Sequence, residues 1–306
     1  LRKIVNRMVM SMRLFLWGVL LLMLGACSQA SKKGETSTKE VYPLFELVEV
    51  WRTDTVLQTP ESVLFDKKHD RLYVTNLNME PRMKDGNGFV SILSRDGKVE
   101  RLRWVEGMSS PKGMALVEDT LFVADVDELV LIDVVKGEII RKIPVEGAKM
   151  LNDMVAGDQG VVYFTDTDAG KIHVYEKGMV SDWLTEGLNG PNGLLIDGGR
   201  LLVASQGGQD FAAVDLTTKE WILVADSVGR GDGIVATGLP GSFLVSDWEG
   251  EIFLIYPDQT KVSLLETKSL GSNTADLEFL QEEGVLLVPT FFGNTVVAYA
   301  LREKPE

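Results

Sequence analysis

Glu61, Lys112, Asn152, Asn192 and Asp232 each open a short apolar run, and Ala275 opens a sixth. Two carboxylates, two amides and one ammonium group at matching points of a repeat form an unusual set. Carboxylate and amide oxygens without histidine or cysteine suit a hard divalent cation such as Ca2+ or Mg2+. Glu61 and Asp232 would balance its charge, while Asn152 and Asn192 would add neutral oxygens. A cation held there would polarise a carbonyl and acidify water, and Lys112 could steady a developing oxyanion. The bland alternative is structural. Asn192-Gly193 and Asp232-Gly233 are turn dipeptides, Asn152-Asp153 could be another turn, and Glu61 after Pro60 a solvated loop residue. Where the residues sit in the fold decides between the two.

Other chemistries are short of residues. The chain has two histidines, His69 and His173, and one cysteine, which excludes a disulfide framework and a Cys-based zinc site. His69 falls in a turn on the far face and His173 inside a strand, so a Ser-His-Asp triad is not expected. With 45 acidic against 31 basic residues and a net charge of −14, the chain repels phosphate backbones, and nucleic acid is excluded as a partner.

The elements that must position these residues come from an internal repeat. A short apolar run closed by a small or polar residue appears as 72–76, 121–125, 162–166, 201–205, 243–247 and 286–290. Each is preceded by one apolar run and followed by another, and a fourth, more amphipathic run comes after a polar turn. Four strands per unit of roughly 42 residues, six times over, predict a β-propeller, an all-β ring of six four-stranded blades. A flat solenoid stack is the alternative. The sixth unit lacks a fourth strand, whereas residues 44–51 form a strand without a unit. That spare strand should complete the last blade, pair with the strand ending near Leu301 and close the ring. First and second strands of a blade are antiparallel, so the start of one and the end of the other share a face. First strands line the axis, and their opening residues therefore converge there.

These residues carry a resemblance. Glu61 after Pro60, Leu151-Asn152-Asp153, Pro191-Asn192-Gly193-Leu194 and Gly231-Asp232-Gly233 are similar to motifs of the senescence-marker-protein/gluconolactonase family, over residues 58 to 301. The resemblance implies a six-bladed propeller with one axial divalent metal held by a Glu, two Asn and an Asp, here Glu61, Asn152, Asn192 and Asp232. It also implies hydrolysis of lactones, with the metal polarising the carbonyl and Asp232 assisting water as general base. Members acting on sugar lactones place an arginine two residues before the first ligand asparagine. Met150 stands there, which argues against gluconolactone itself.

Loops joining second to third strands surround the same channel mouth. The longest, Asn76 to Gly88, is either a specificity lid or a tolerated insertion. Asp153, Trp248 and Arg230 are candidate substrate contacts, Trp248 by stacking and Arg230 by recognising an anion. Phe291 and Phe292 read as wedges between blades.

Residues 1–26 resemble a secretory signal, with Arg2, Lys3, Arg7 and Arg13 ahead of the apolar run Leu14 to Leu24. Leu24-Gly25-Ala26-Cys27 resembles a bacterial lipobox, which implies acylation of Cys27. Residues 27–43 then form a lipidated tether, and 44–306 the propeller. The expected location is the cell envelope, anchored by lipid alone, at the outer membrane or facing the periplasm. Two functions are carried forward. One is a monomeric hydrolase of a lactone or similar cyclic ester, using one divalent cation, Ca2+ first and Mg2+, Mn2+ or Zn2+ as alternatives. The other is a non-catalytic propeller binding a carbohydrate, peptide or protein on its metal-bearing face.

Overall fold

The structure is a computed structural model, and it describes residues 42–305. The expected signal segment, Cys27 and most of the tether lie outside the described residues. No helix among those described is long and apolar enough to cross a membrane.

Six four-stranded antiparallel sheets form the blades of a β-propeller. Their first strands are Pro60–Asp66, Pro111–Val117, Leu151–Ala156, Pro191–Asp197, Gly231–Ala236 and Glu278–Leu280. Second strands, such as Arg71–Asn76 and Thr120–Asp125, are buried at all but their opening position. Side chains of a strand alternate between faces, so a strand buried throughout must be covered on both, as the expected blade packing requires. Six apolar clusters supply that cover, each seated between consecutive blades. In one of them Val63, Leu72 and Val74 of blade one meet Leu287, Val296 and Ala298 of blade six, which joins the ring's ends.

The spare N-terminal strand behaves as its position in sequence demands. Phe45–Arg52 pairs antiparallel with Val296–Glu303 and becomes the outer strand of blade six. Outer strands carry half-exposed tryptophans: Trp104 stacks on Tyr73 at 5.1 Å, and Trp183 meets Tyr163 edge-on at 5.2 Å.

Each of the first five first strands breaks register at the same place. Pairing skips from Pro60 to Val63, Pro111 to Met114, Leu151 to Met154, Pro191 to Leu194 and Gly231 to Ile234. The skipped pair contains the candidate site residue every time. Such a bulge frees a residue from the ladder and re-aims its side chain. Hydroxyls from second strands satisfy the backbone it disturbs: Thr75 accepts from Ser62 N–H, Thr165 from Asp153 N–H, and Ser246 from Gly233 N–H.

Candidate metal and substrate site

The glycines beside the site residues are not turn glycines. Gly193 and Gly233 lie within first strands. A Cβ on Gly193 would run into the Asp232 carbonyl oxygen, one on Gly233 into the Leu277 backbone nitrogen, and one on Gly113 would sit 2.6 Å from the Asp153 Cα. Glycine is there because neighbouring first strands approach closely around the axis. The turn reading of Asn192-Gly193 and Asp232-Gly233 is therefore replaced by a packing one.

Glu61, Lys112, Asn152, Asn192 and Asp232 are all buried, at 1–5% exposure. Glu61, Lys112, Asn152 and Asp232 line one cavity of about 190 Å3. Asn192 stands beside Asp232, its Nδ2 donating to the Gly231 carbonyl at 3.4 Å. Asn152 Nδ2 donates to Thr167 Oγ1 at 3.0 Å, and Thr167 in turn donates to the Pro191 carbonyl at 2.8 Å. Both amide nitrogens are thus occupied, and both amide oxygens are left over. Asn152 Oδ1, Asn192 Oδ1 and Glu61 Oε2 are buried without a hydrogen-bond partner. Buried acceptors normally find a donor. Three orphans with Asp232 nearby form an oxygen set facing no protein donor, which is the chemistry a hard cation requires. No group of three His, Cys, Asp or Glu side chains suited to a metal occurs among the described residues. Glu61, Asp232, Asn152 and Asn192 are two carboxylates and two amides, so a cation held there would need the amide oxygens.

The electrostatics agree with that composition. Burial pushes the Glu61 carboxyl well above its usual range, and the charges of Asp232 and Asp276 add to the effect, while Lys112 opposes it. Asp232 is raised by burial and then by Asp276, against Asn192 and Arg230. Lys112 is lowered to about 8, chiefly by burial, although Glu61 pulls it upward. Its Nζ donates to Ser110 O at 3.0 Å and Ser110 Oγ at 3.2 Å. Charges this buried call for a counter-charge between them.

Arg230 and Trp248 line the cavity as expected, the guanidinium lying 4.8 Å from the Trp248 ring centre. Asp153 does not line it. Its carboxylate accepts the Met154 N–H at 2.6 Å and the Leu194 N–H at 2.5 Å, which ties blade three to blade four within the ring wall. The expectation of substrate contact there is corrected: the bulge sends Asn152 to the cavity and its neighbour into the wall. Phe291 is buried against Leu77, Ala275 and Trp248, as a wedge should be. Phe292 departs from that expectation, being 51% exposed and part of the cavity wall.

The long blade-one loop reaches over the mouth. Leu77, Pro81 and Arg82 line the cavity. Arg82 donates to both carboxylate oxygens of Asp168 in blade three, at 2.7 and 2.9 Å. Lys84 pairs with Asp127 of blade two. The loop is part of the site rather than an incidental insertion. Gln206, also on the cavity wall, has no signal in the sequence beyond following a second strand.

Both histidines are structural. His69 Nδ1 lies 2.7 Å from Asp66, in the turn between the first and second strands of blade one. His173 is buried at 2% exposure, stacked on Phe164, with Nδ1 2.8 Å from Asp182. Neither lines the cavity.

No protein-family model matches the chain, and no curated protein matches it. Solved structures do. A gluconolactonase from Xanthomonas campestris, described as important in glucose secondary metabolic pathways, aligns with TM-score 0.65 and 17% identity, over 80% of this chain and 87% of its own. A catalytically inactive His-to-Ala virginiamycin B lyase from Staphylococcus aureus with quinupristin aligns with TM-score 0.59 and 12% identity, over 85% and 100%. The nidogen/laminin complex supplies a third, with TM-score 0.60 and 15% identity, over 72% and 84%. Its structural neighbours include gluconolactonase-like six-bladed propellers. At these identities the likeness establishes the fold, which hosts catalysts and binding modules alike.

Proposed function

We propose that the chain is a cation-dependent hydrolase of a lactone or similar cyclic ester. The observation that carries this reading is the set of partnerless oxygens on Glu61, Asn152 and Asn192 beside Asp232. These four side chains would hold the cation, with Ca2+ the first candidate for an all-oxygen set and Mg2+, Mn2+ or Zn2+ the others. When bound, a divalent cation supplies Lewis-acid polarisation of an ester carbonyl and acidifies water. Asp232 accepts a proton from the attacking water. Lys112 Nζ, already donating to Ser110, directs its remaining proton toward the oxygen that gains charge. The blade-one loop, held by Arg82–Asp168, limits water around the reacting ester.

The structural likeness to gluconolactonases supports a lactonase-type fold for this chemistry. The lyase likeness supports its reaction less, since a histidine replacement inactivates that protein and no histidine lines this cavity. The second reading, a non-catalytic binder, has the nidogen/laminin propeller in its favour. A cavity of about 190 Å3 falls below the ~300–1,000 Å3 of drug-sized sites, which favours a small molecule over a protein. The deciding experiment screens lactones and esters against purified residues 41–306 with and without chelator. Turnover lost on chelation supports the hydrolase; absence of turnover with every cation supports the binder.

We also propose that Cys27 is acylated and tethers the propeller to a membrane of the cell envelope, on the lipobox-like Leu24-Gly25-Ala26-Cys27. Cys27→Ser should move the protein from the membrane fraction to the soluble one. A variant that still pellets after a high-salt wash overturns the anchor.

A further inference from the structure

The cavity lining is mixed in polarity. Leu77, Phe291, Phe292 and Trp248 form an apolar crescent, with edge-on ring contacts of 5.4 Å for Trp248–Phe291 and 4.8 Å for Phe291–Phe292. The lining also carries three cations, Arg82, Lys112 and Arg230. Their charges can be followed one by one. Glu61 and Asp232 would balance a divalent cation, and Asp168 balances Arg82 in a bidentate pair. Lys112 has Glu61 and Asp125 as attracting charges, which leaves Arg230 over. The Arg230 guanidinium lies over the Trp248 ring, with Gln206 Oε1 3.4 Å from its Nη2, and no carboxylate forms an ion pair with it among the described residues. An acidic chain of net charge −14 that leaves a guanidinium without an ion pair on a small cavity wall offers that wall to an anionic group. Sugar hydroxyls, by contrast, would face Met150, Leu77, Phe291 and Phe292, whose side chains offer them no hydrogen bonds.

We propose that the ligand is a small amphipathic carboxylate, its acid group on Arg230 and Gln206 and its apolar ring or short chain on Phe292, Phe291 and Leu77. The inference rests on the hydrolase reading for its placement, with the ester directed at Glu61, Asn152 and Asp232. It therefore names the substrate class as a lactone bearing both a carboxylate and an apolar substituent. Arg230 supplies charge-assisted hydrogen bonds with planar geometry, for which a lysine or an amide is a poor replacement.

The test is equilibrium binding, so a protein without turnover can satisfy it and a working lactonase can fail it. Titration calorimetry in saturating Ca2+, and again in chelator, uses three probes: 3-phenylpropanoate, its neutral counterpart 3-phenylpropanol, and gluconate. The expected order is 3-phenylpropanoate tightest, with 3-phenylpropanol about tenfold weaker for one lost charge-assisted contact and gluconate, which keeps the acid group, about tenfold weaker for the lost burial of the ring. Arg230→Gln should weaken 3-phenylpropanoate by about tenfold and leave 3-phenylpropanol unchanged. Phe292→Ala, at an exposed position, should weaken both phenyl probes without changing the melting temperature. Gluconate binding as tightly as 3-phenylpropanoate overturns the proposal. So does 3-phenylpropanoate binding that depends on Ca2+ but ignores Arg230→Gln, since the acid group would then sit on the cation.

Discussion

The Asp247 carboxylate accepts the backbone N–H of Arg230 at 2.9 Å, two residues before Asp232. A residue ending the second strand thereby holds the chain leading into the first strand of its own blade. The same device recurs around the ring. Asp166 accepts from Met150 N–H at 3.0 Å, ahead of Asn152. Asp125 accepts from Ser109 and Ser110, ahead of Lys112, and Asn76 accepts from Gln58, ahead of Glu61. Glu61, Lys112, Asn152 and Asp232 thus have their approach pinned by a buried acceptor and their side chains turned by a bulge.

Replacing Asp247 with alanine should be costly although the residue does not line the cavity. Its carboxylate also accepts from Glu249 N–H at 3.1 Å and pairs with Lys268 at 2.6 Å. Removing it strands two backbone donors and leaves Lys268 with Glu251 as its remaining carboxylate partner, a loss of about 2–4 kcal/mol. Urea unfolding of Asp247→Ala should show that loss with the m-value unchanged. Destabilisation of less than about 0.5 kcal/mol would mean that water replaces the clamp.

Gly193 and Gly199 offer a matched pair of substitutions. A methyl on Gly193 meets the backbone of Asp232, whereas one on Gly199 meets nothing within 4 Å. Backbone cannot yield as a flexible side chain can, so Gly193→Ala should cost about 1–3 kcal/mol or more through overpacking. It should also displace Asp232 and weaken cation binding. Gly199→Ala should stay within about 0.5 kcal/mol of the parent. Equal effects from both would remove close approach as the reason for glycine at 193.

The six blades were legible because second strands buried on both faces read as unbroken apolar runs, such as Leu72-Tyr73-Val74. The convergence of Glu61, Asn152, Asn192 and Asp232 followed from strand direction alone. Asp153 was misjudged because its facing depends on a bulge supported by Thr165, a hydroxyl on another strand. Phe291 and Phe292 are adjacent in sequence, yet a short 3-10 turn over Phe291–Gly293 buries one and exposes the other. Gln206 and Leu77 sit in loops without periodicity, so only the folded chain brings them to the cavity.

Closure of the ring should be a large stabilising contribution. Phe45–Arg52 pairs along the length of Val296–Glu303, and Phe45 and Leu47 pack on the cluster between blades five and six. Deleting residues 41–52 exposes that edge and removes the outer strand. A loss of several kcal/mol follows, of the order seen when buried apolar groups are removed together. Thermal unfolding of the truncated chain checks it, and an unchanged melting temperature would refute the closure energetics.

Cation binding has a thermodynamic signature separate from turnover. A ligand that binds only the folded state raises the melting temperature with its concentration. Titrating Ca2+ into chelator-treated protein should do so, and Asp232→Ala should abolish the shift. Lys112→Ala should preserve it, because Lys112 faces the cavity as a cation and supplies no oxygen. Elemental analysis of the purified protein completes the measurement. No bound metal and no cation-dependent shift would return the four residues to a purely structural role.

Glu278 makes stability depend on pH away from the site. Its two carboxylate oxygens accept from Phe65 N–H and Phe279 N–H, each at 2.9 Å. Burial raises its pKa from 4.5 to about 7, those two bonds resist the rise, and the charge of Asp276 adds to it. The folded chain therefore keeps this proton to a higher pH than the unfolded chain does. Below pH 4.5 the group is protonated in both states and its favourable contribution is fully present. Between pH 4.5 and about 7 the native state binds more protons, so this contribution falls as pH rises and is lost above the folded pKa. The span corresponds to on the order of 3 kcal/mol for a shift of this size. Glu278→Gln cannot titrate, so its stability relative to the parent should rise steadily from pH 4.5 to 7.5. Asp276, raised to about 6 by burial, titrates in both proteins, so the difference between them reads Glu278 together with its coupling to Asp276. Chemical unfolding at half-unit pH intervals in a fixed cation concentration reads that difference directly. A difference that stays flat with pH would show that Glu278 ionises as it does in the unfolded chain.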